Sequence, residues 1–163
     1  MSARDDMIVA VAGLGTMGLP MAENLLNAGF SVVGYDVRPL SDFPDFADHM
    51  TTATSDFAAR ADVLISVVRD IAETEALLFD DQAIMRHPQA PKTVILSSTL
   101  SPRYIVDVGA RLPDDISVID APMSGAPYRA RTGKLTFMLG GDEMAINALM
   151  PMFKAMGEAC HHL

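Results

Sequence analysis

Residues 8–18, IVAVAGLGTMG, run an apolar segment into a GxGxxG turn and then into a helical pattern. This junction constrains the fold most, because it requires a buried strand, a very tight turn and a helix packed against that strand. Gly13 permits the turn, Gly15 lets bare backbone approach a pyrophosphate, and Gly18 lets the helix pack closely. The helix N-terminus adds N–H groups and a positive dipole end for an anion. Leu14, Thr16 and Met17 complete the loop, with the apolar Leu14 and Met17 facing either cofactor or core. Residues 7–12 read as a strand, residues 16–28 as a helix ended by Gly29, and residues 31–35 as a second strand.

Asp36 closes that second strand 23 positions after Gly13, near the spacing of about 20 expected of an acid that binds an adenosine ribose. A carboxylate there accepts hydrogen bonds from a free ribose diol and repels a 2′-phosphate, so NAD is expected over NADP. Val37 and Arg38 follow it. The Arg38 guanidinium suits a phosphate, the face of an adenine or plain solvent.

Composition narrows the partners. The 163-residue chain has a formal net charge of −9 and is 50% hydrophobic, which fits one α/β domain and argues against nucleic acid and anionic membrane surfaces. A single cysteine, Cys160, rules out an intrachain disulfide or a CxxC centre. Residues 2–6 are polar and acidic, and no apolar run nears the roughly 20 residues of a membrane span. A reducing, cytoplasmic setting is expected.

Strand and helix patterns then alternate as in a Rossmann-type, doubly wound, mainly parallel sheet with helices on both faces. Residues 39–49 read as a loop with a short helix. Residues 51–53 suggest a brief third strand, and Ser55 or Asp56 a cap for a helix through Arg60. Strands are expected at 63–68, 93–96, 116–119 and 135–139. Helices are expected at 71–79, from Pro102 behind a Ser101 cap, and at 142–156 behind Asp142. Residues 158–163 read as the start of another strand. Polar or small residues fall at four strand ends: the glycine turn, Val67-Val68-Arg69, Ser98-Thr99 and Ser124-Gly125. Ligands in such sheets bind beyond the carboxyl ends of the strands, so the four are expected to meet in one crevice. Taken singly, each also reads as an ordinary cap or turn. His49, His87, His161 and His162 lack metal-ligand spacing, and no metal site is expected.

Three longer motifs resemble those of the β-hydroxyacid dehydrogenases, the 3-hydroxyisobutyrate dehydrogenase-like family. They are GLGTMGLPMAENLL at residues 13–26, STLSP at 98–102 and DAPMSG at 120–125. The resemblance covers nearly the whole chain, so residues 1–163 are expected to form the family's dinucleotide-binding domain. It implies that Val68, Arg69 and Thr99 contact the nicotinamide half of the cofactor. It implies equally that Ser124 and Gly125 bind the carboxylate and hydroxyl of a small hydroxyacid or semialdehyde, and that the full-length protein is a homo-oligomer.

Two features depart from the family pattern. Ala126 replaces the usual second glycine of the substrate signature, and Tyr128-Arg129-Ala130-Arg131 adds bulk and charge nearby, with Arg129 or Arg131 able to reach a second carboxylate or to lie in solvent. The resemblance also implies a general acid/base lysine in a GxxxK motif on a helix of a following helical domain. Lys92, Lys134 and Lys154 do not match that motif. The chain by itself is therefore expected to bind cofactor with little or no turnover. An NADPH-dependent semialdehyde or imine reductase and a non-catalytic dinucleotide-binding module are the alternatives.

Overall fold

A computed structural model describes residues 6–163; the acidic reading of residues 2–5 falls outside them. β1 (Ile8–Ala12), β2 (Ser31–Tyr35), β3 (Val63–Ser66), β4 (Thr93–Leu96) and β5 (Ser117–Asp120) form one sheet in the order β2-β1-β3-β4-β5. All four pairings are parallel. Because side chains alternate across a strand, Val9, Val11, Ile65 and Ile95 enter a core on one face while Ala10, Ala12, Leu64, Val94 and Leu96 enter a core on the other. Burial on both faces explains why these strands are almost wholly apolar.

Helices cover both faces. α1 (Gly18–Asn27) packs Met21, Ala22 and Leu25 into the first core. α2 (Thr54–Arg60), α3 (Ile71–Leu78) and α4 (Pro102–Arg111) close the second through Phe57, Leu77, Leu78 and Val108. Asp70 caps α3 by accepting from the Glu73 N–H at 2.9 Å. Ser101 caps α4 by accepting from the Tyr104 N–H at 3.2 Å, as its sequence predicts.

Beyond β5 a second sheet is built from β6 (Met123–Ser124), β7 (Leu135–Leu139) and β8 (Gly157–His162), with α5 (Pro127–Arg131), α6 (Glu143–Ala148) and α7 (Met150–Met156) between its strands. β6 is antiparallel to β7 and β8 parallel to it. A bridge between Asp120 and Gly140 links the two sheets.

Four expectations change. Residues 51–53 form no strand; one bridge between Gly34 and Met50, extended by the Thr51 N–H to the Gly34 carbonyl, is all that pairs beside β2. α2 begins at Thr54 with neither Ser55 nor Asp56 as its cap. The strand expected at 63–68 stops at Ser66, so Val67 and Val68 belong to the loop that faces the glycine turn. The helix expected at 142–156 is capped by Asp142 but divides at Leu149, where Pro151 in the first turn of α7 lacks the N–H that would continue α6.

Candidate functional site

The GxGxxG turn is held by contacts that leave no room for side chains. A Cβ on Gly18 would lie 1.8 Å from the Gly13 carbonyl oxygen, and one on Gly13, whose φ is +93°, would lie 2.7 Å from the Val67 carbonyl oxygen. Gly15 differs, since a Cβ there would meet nothing within 4 Å. Two glycines serve packing, and the third leaves open space above the backbone.

That space lies at the start of α1, where Met17 in the N-cap position offers no side-chain hydrogen bond and the first turn holds no acid. In the first turn the Leu19 N–H donates to the Gly15 carbonyl at 3.1 Å and Pro20 has no N–H, so an anion here would meet the N–H groups of the glycine turn itself. Leu14 turns inward, 1% exposed, and Met17 packs partly buried against the same core; both apolar side chains of the loop therefore serve the fold.

Asp36 stands at the tip of β2 in the same groove. Its Oδ2 accepts from the Leu14 N–H at 2.7 Å, and its Oδ1 accepts from the Arg38 backbone N–H at 3.0 Å and from Arg38 Nε at 3.1 Å. An Arg38 terminal nitrogen also donates to the Leu14 carbonyl at 3.0 Å, and the guanidinium lies 4.7 Å over the Phe43 ring. Partial burial pushes the Asp36 carboxyl up, but the Arg38 and Leu14 hydrogen bonds outweigh it and hold the group below its ordinary value. The acid thus clamps the glycine turn to β2, with Oδ1 accepting two hydrogen bonds and Oδ2 accepting from Leu14 and, at 3.5 Å, from an Arg38 terminal nitrogen.

A cavity of about 590 Å³ takes in Gly13, Gly15, Asp36, Val37, Arg38, Val68 and Arg69 from the expected set. It also takes in Tyr35, Glu73, Ala76, Leu77, Asp81 and Gln82, which sequence reasoning missed. Arg69 is largely exposed and paired with Glu73 at 2.7 Å.

Thr99, Ser124 and Gly125 do not line this cavity, so the four strand ends do not enclose a single groove. Thr99 is exposed beside Ser98, whose hydroxyl donates to the Val68 carbonyl and ties the two loops together. Ser124 is exposed and pairs with Thr136 in the second sheet. Gly125, at φ +142°, packs against Arg129 and Leu135. Ala126 has φ −74°, so the backbone there has no need of the family's glycine. Arg129 pairs with Glu158 at 2.7 Å, whereas Arg131 lines a second hollow with Gly15, Thr16, Glu23 and Asn24.

The donor set fits a dinucleotide: an uncapped helix start, a glycine open to close approach and an acid at the neighbouring strand tip. Among the described residues no cluster of three metal-ligating side chains exists, and no helix is long and apolar enough to cross a membrane.

The model of the NAD-binding domain of 6-phosphogluconate dehydrogenase matches residues 8–163. The chain is 37% identical over 158 residues to the NAD-dependent L-serine dehydrogenase of Pseudomonas aeruginosa, covering 94% of this chain and 53% of that protein. It is 33% identical over 158 residues to the L-threonate dehydrogenase of Cupriavidus necator, covering 95% and 53%. The crystal structure of 3-hydroxyisobutyrate dehydrogenase from Salmonella typhimurium superposes with a TM-score of 0.84 at 29% identity, covering 96% of this chain and 56% of that one. The chain therefore spans about half the length of the relatives it matches. Its Rossmann-like parallel sheet agrees with the structural match, and the chain belongs to the family of NAD-binding domains of 6-phosphogluconate dehydrogenase, with hydroxyacid dehydrogenases among its relatives.

Proposed function

We propose that this chain is the cofactor-binding part of a dehydrogenase that moves hydride between a nicotinamide and a small 3-hydroxyacid such as 3-hydroxyisobutyrate. The observation that carries this reading is the open backbone at Gly15 beneath an uncapped helix start, in one groove with Asp36. Gly13, Gly15, Thr16 and Gly18 shape the pyrophosphate cradle, with Leu14 and Met17 bracing it from the core. Asp36 and Val37 meet the adenosine, and Val68, Arg69 and Thr99 stand on the nicotinamide side. The bound nicotinamide supplies the hydride acceptor or donor. Ser124 and Gly125 offer a hydroxyl and a backbone N–H to an anionic substrate. Their separation from the main groove supports the view that the substrate site is completed by groups outside this chain. With no lysine in the GxxxK pattern, this chain is expected to bind cofactor with little or no turnover, since a positioned acid/base contributes about 10²- to 10⁴-fold. The acidic composition and single cysteine support a cytoplasmic setting without nucleic-acid or membrane partners, and the family resemblance supports a homo-oligomeric full-length enzyme.

NAD is the expected cofactor, because Asp36 is held ionised at the place a 2′-phosphate would occupy. Arg38 does not offset it, since its guanidinium is already committed to Asp36 and the Leu14 carbonyl. Fluorescence titration of the chain with NADH and NADPH tests both points. Tighter NADH binding is expected. Tighter NADPH binding would overturn the cofactor assignment and favour an NADPH-dependent reductase, whereas binding of neither would overturn the dinucleotide reading. Activity restored by joining the downstream half of a relative would separate the enzyme from a non-catalytic binding module.

A further inference from the structure

A second hollow, of about 360 Å³, opens between α1 and the end of α5. Leu19, Pro20, Glu23, Asn24 and Asn27 of α1 line it with Arg131 of α5, and of its lining residues only Gly15 also belongs to the larger groove. Asn24 Nδ2 donates to the Ala130 carbonyl at 2.7 Å, which ties together the two helices that form its walls.

Two opposite charges line this space and pair with nothing. Among the described residues neither the Glu23 carboxylate nor the Arg131 guanidinium has a hydrogen bond or an ion pair, with the other or elsewhere. For Glu23 the reason is local, since α1 holds no basic residue three or four positions away. For Arg131 it lies in how α5 ends. An arginine at a helix C-terminus ordinarily bonds the last carbonyls. Here the Tyr128 carbonyl accepts from the Thr132 N–H at 3.1 Å, that of Arg129 from the Lys134 N–H at 2.8 Å, and that of Ala130 from Asn24 and from the Gly133 N–H at 3.3 Å. Arg129 is committed to Glu158 at 2.7 Å. Arg131 alone of the α5 cations is left for the hollow.

A simple anion here would satisfy Arg131 and be repelled by Glu23, and a simple cation would meet the reverse. A molecule that carries both charges satisfies both groups. Asn24, its nitrogen held by the Ala130 carbonyl, adds an oxygen that only accepts, which suits an ammonium. Leu19 and Pro20, both half-buried, give the wall an apolar part. We propose that this hollow is a second ligand site that takes a small α-amino acid, with its carboxylate on Arg131, its ammonium on Glu23 and Asn24, and its side chain against Leu19 and Pro20. The site stands apart from the hydride chemistry and does not depend on the dinucleotide reading above.

The test is titration of the isotope-labelled chain with L-alanine, with propionate, which lacks the ammonium, and with ethylamine, which lacks the carboxylate, followed by NMR at the side-chain amides of Asn24 and Asn27. L-alanine is expected to give saturable shifts, and each single-charge probe to bind about tenfold more weakly, the worth of one charge-assisted hydrogen bond. Glu23→Gln should weaken L-alanine about tenfold and bring propionate level with it, whereas Arg131→Gln should weaken L-alanine as much and bring ethylamine level with it. A variant that merely misfolds produces neither pattern, and NADH titration of both variants should match wild type. No saturable shift with L-alanine, equal binding of the three probes, or variants that affect all three alike would overturn the proposal while leaving the dinucleotide reading intact. Weakened NADH binding by Arg131→Gln with L-alanine unaffected would assign Arg131 to the cofactor and overturn it equally.

Discussion

Gly15 and Gly18 look alike in the motif, yet their surroundings assign them opposite roles. An alanine at 15 meets open space, whereas one at 18 meets a carbonyl oxygen. Gly15→Ala is therefore expected to keep its melting temperature within a few degrees of wild type while NADH binding weakens at least tenfold, because the methyl group fills the space a pyrophosphate would take. Gly18→Ala is expected to unfold at clearly lower temperature, with overpacking costing about 1–3 kcal/mol. Melting curves beside NADH titrations separate the two, and loss of binding by neither variant would remove the loop from the site. The spacing of the glycines was legible because a turn residue's chemistry is local. Capture of the Asp36 carboxylate by the Leu14 N–H was not, since it joins residues far apart in the chain.

Elements announced themselves where local chemistry and burial agreed. β4 and β7 lie at the residues expected, and Ser101-Pro102 starts α4 as its cap chemistry requires. The helix break at Leu149 was less legible, because the apolar pattern runs unbroken through it even though Pro151 was visible. Between α3 and α4 lies a lock that no local pattern signals. Glu75 accepts from both terminal nitrogens of Arg111, at 2.6 and 2.9 Å, and from the Tyr104 hydroxyl at 2.7 Å, while Arg111 lies 3.9 Å over the Phe79 ring. The Arg111 hydrogen bond, opposed by slight burial and helped by Tyr104, holds the Glu75 carboxyl below its ordinary value; burial and then Glu75 push the Tyr104 hydroxyl up. Glu75→Gln is expected to lower stability by about 1 kcal/mol, a value limited by partial exposure. Denaturant unfolding should show a lower midpoint with an unchanged slope, and an unchanged midpoint would make the lock energetically idle.

At the scale of the whole molecule, Asp36 joins β2 to the glycine turn and so couples the sheet to the proposed cofactor site. Its folded pKa is lowered, so its stabilisation is fully present above the unfolded carboxyl value, about 3.9, and is lost as pH falls through the lower folded value. The difference in melting temperature between wild type and Asp36→Asn should therefore be largest near pH 6–7 and shrink toward pH 3. A difference independent of pH would show that the carboxylate's charge does not act in the clamp. Asp120 behaves oppositely: burial pushes its carboxyl up, Oδ1 has no partner, and its charge opposes folding at neutral pH.

By itself the sequence determined the strand, turn and helix of the cradle, the doubly wound alternation, the strand-tip acid and the family, because glycine geometry, helix capping and hydrophobic period act over a few residues. Only the tertiary structure decided which groups share the groove. It brought the end of α3 beside Asp36, set Ser124 apart in a second sheet and committed Arg38 to the clamp. Those arrangements depend on how separate elements pack and which distant polar groups satisfy one another, and no local periodicity encodes them.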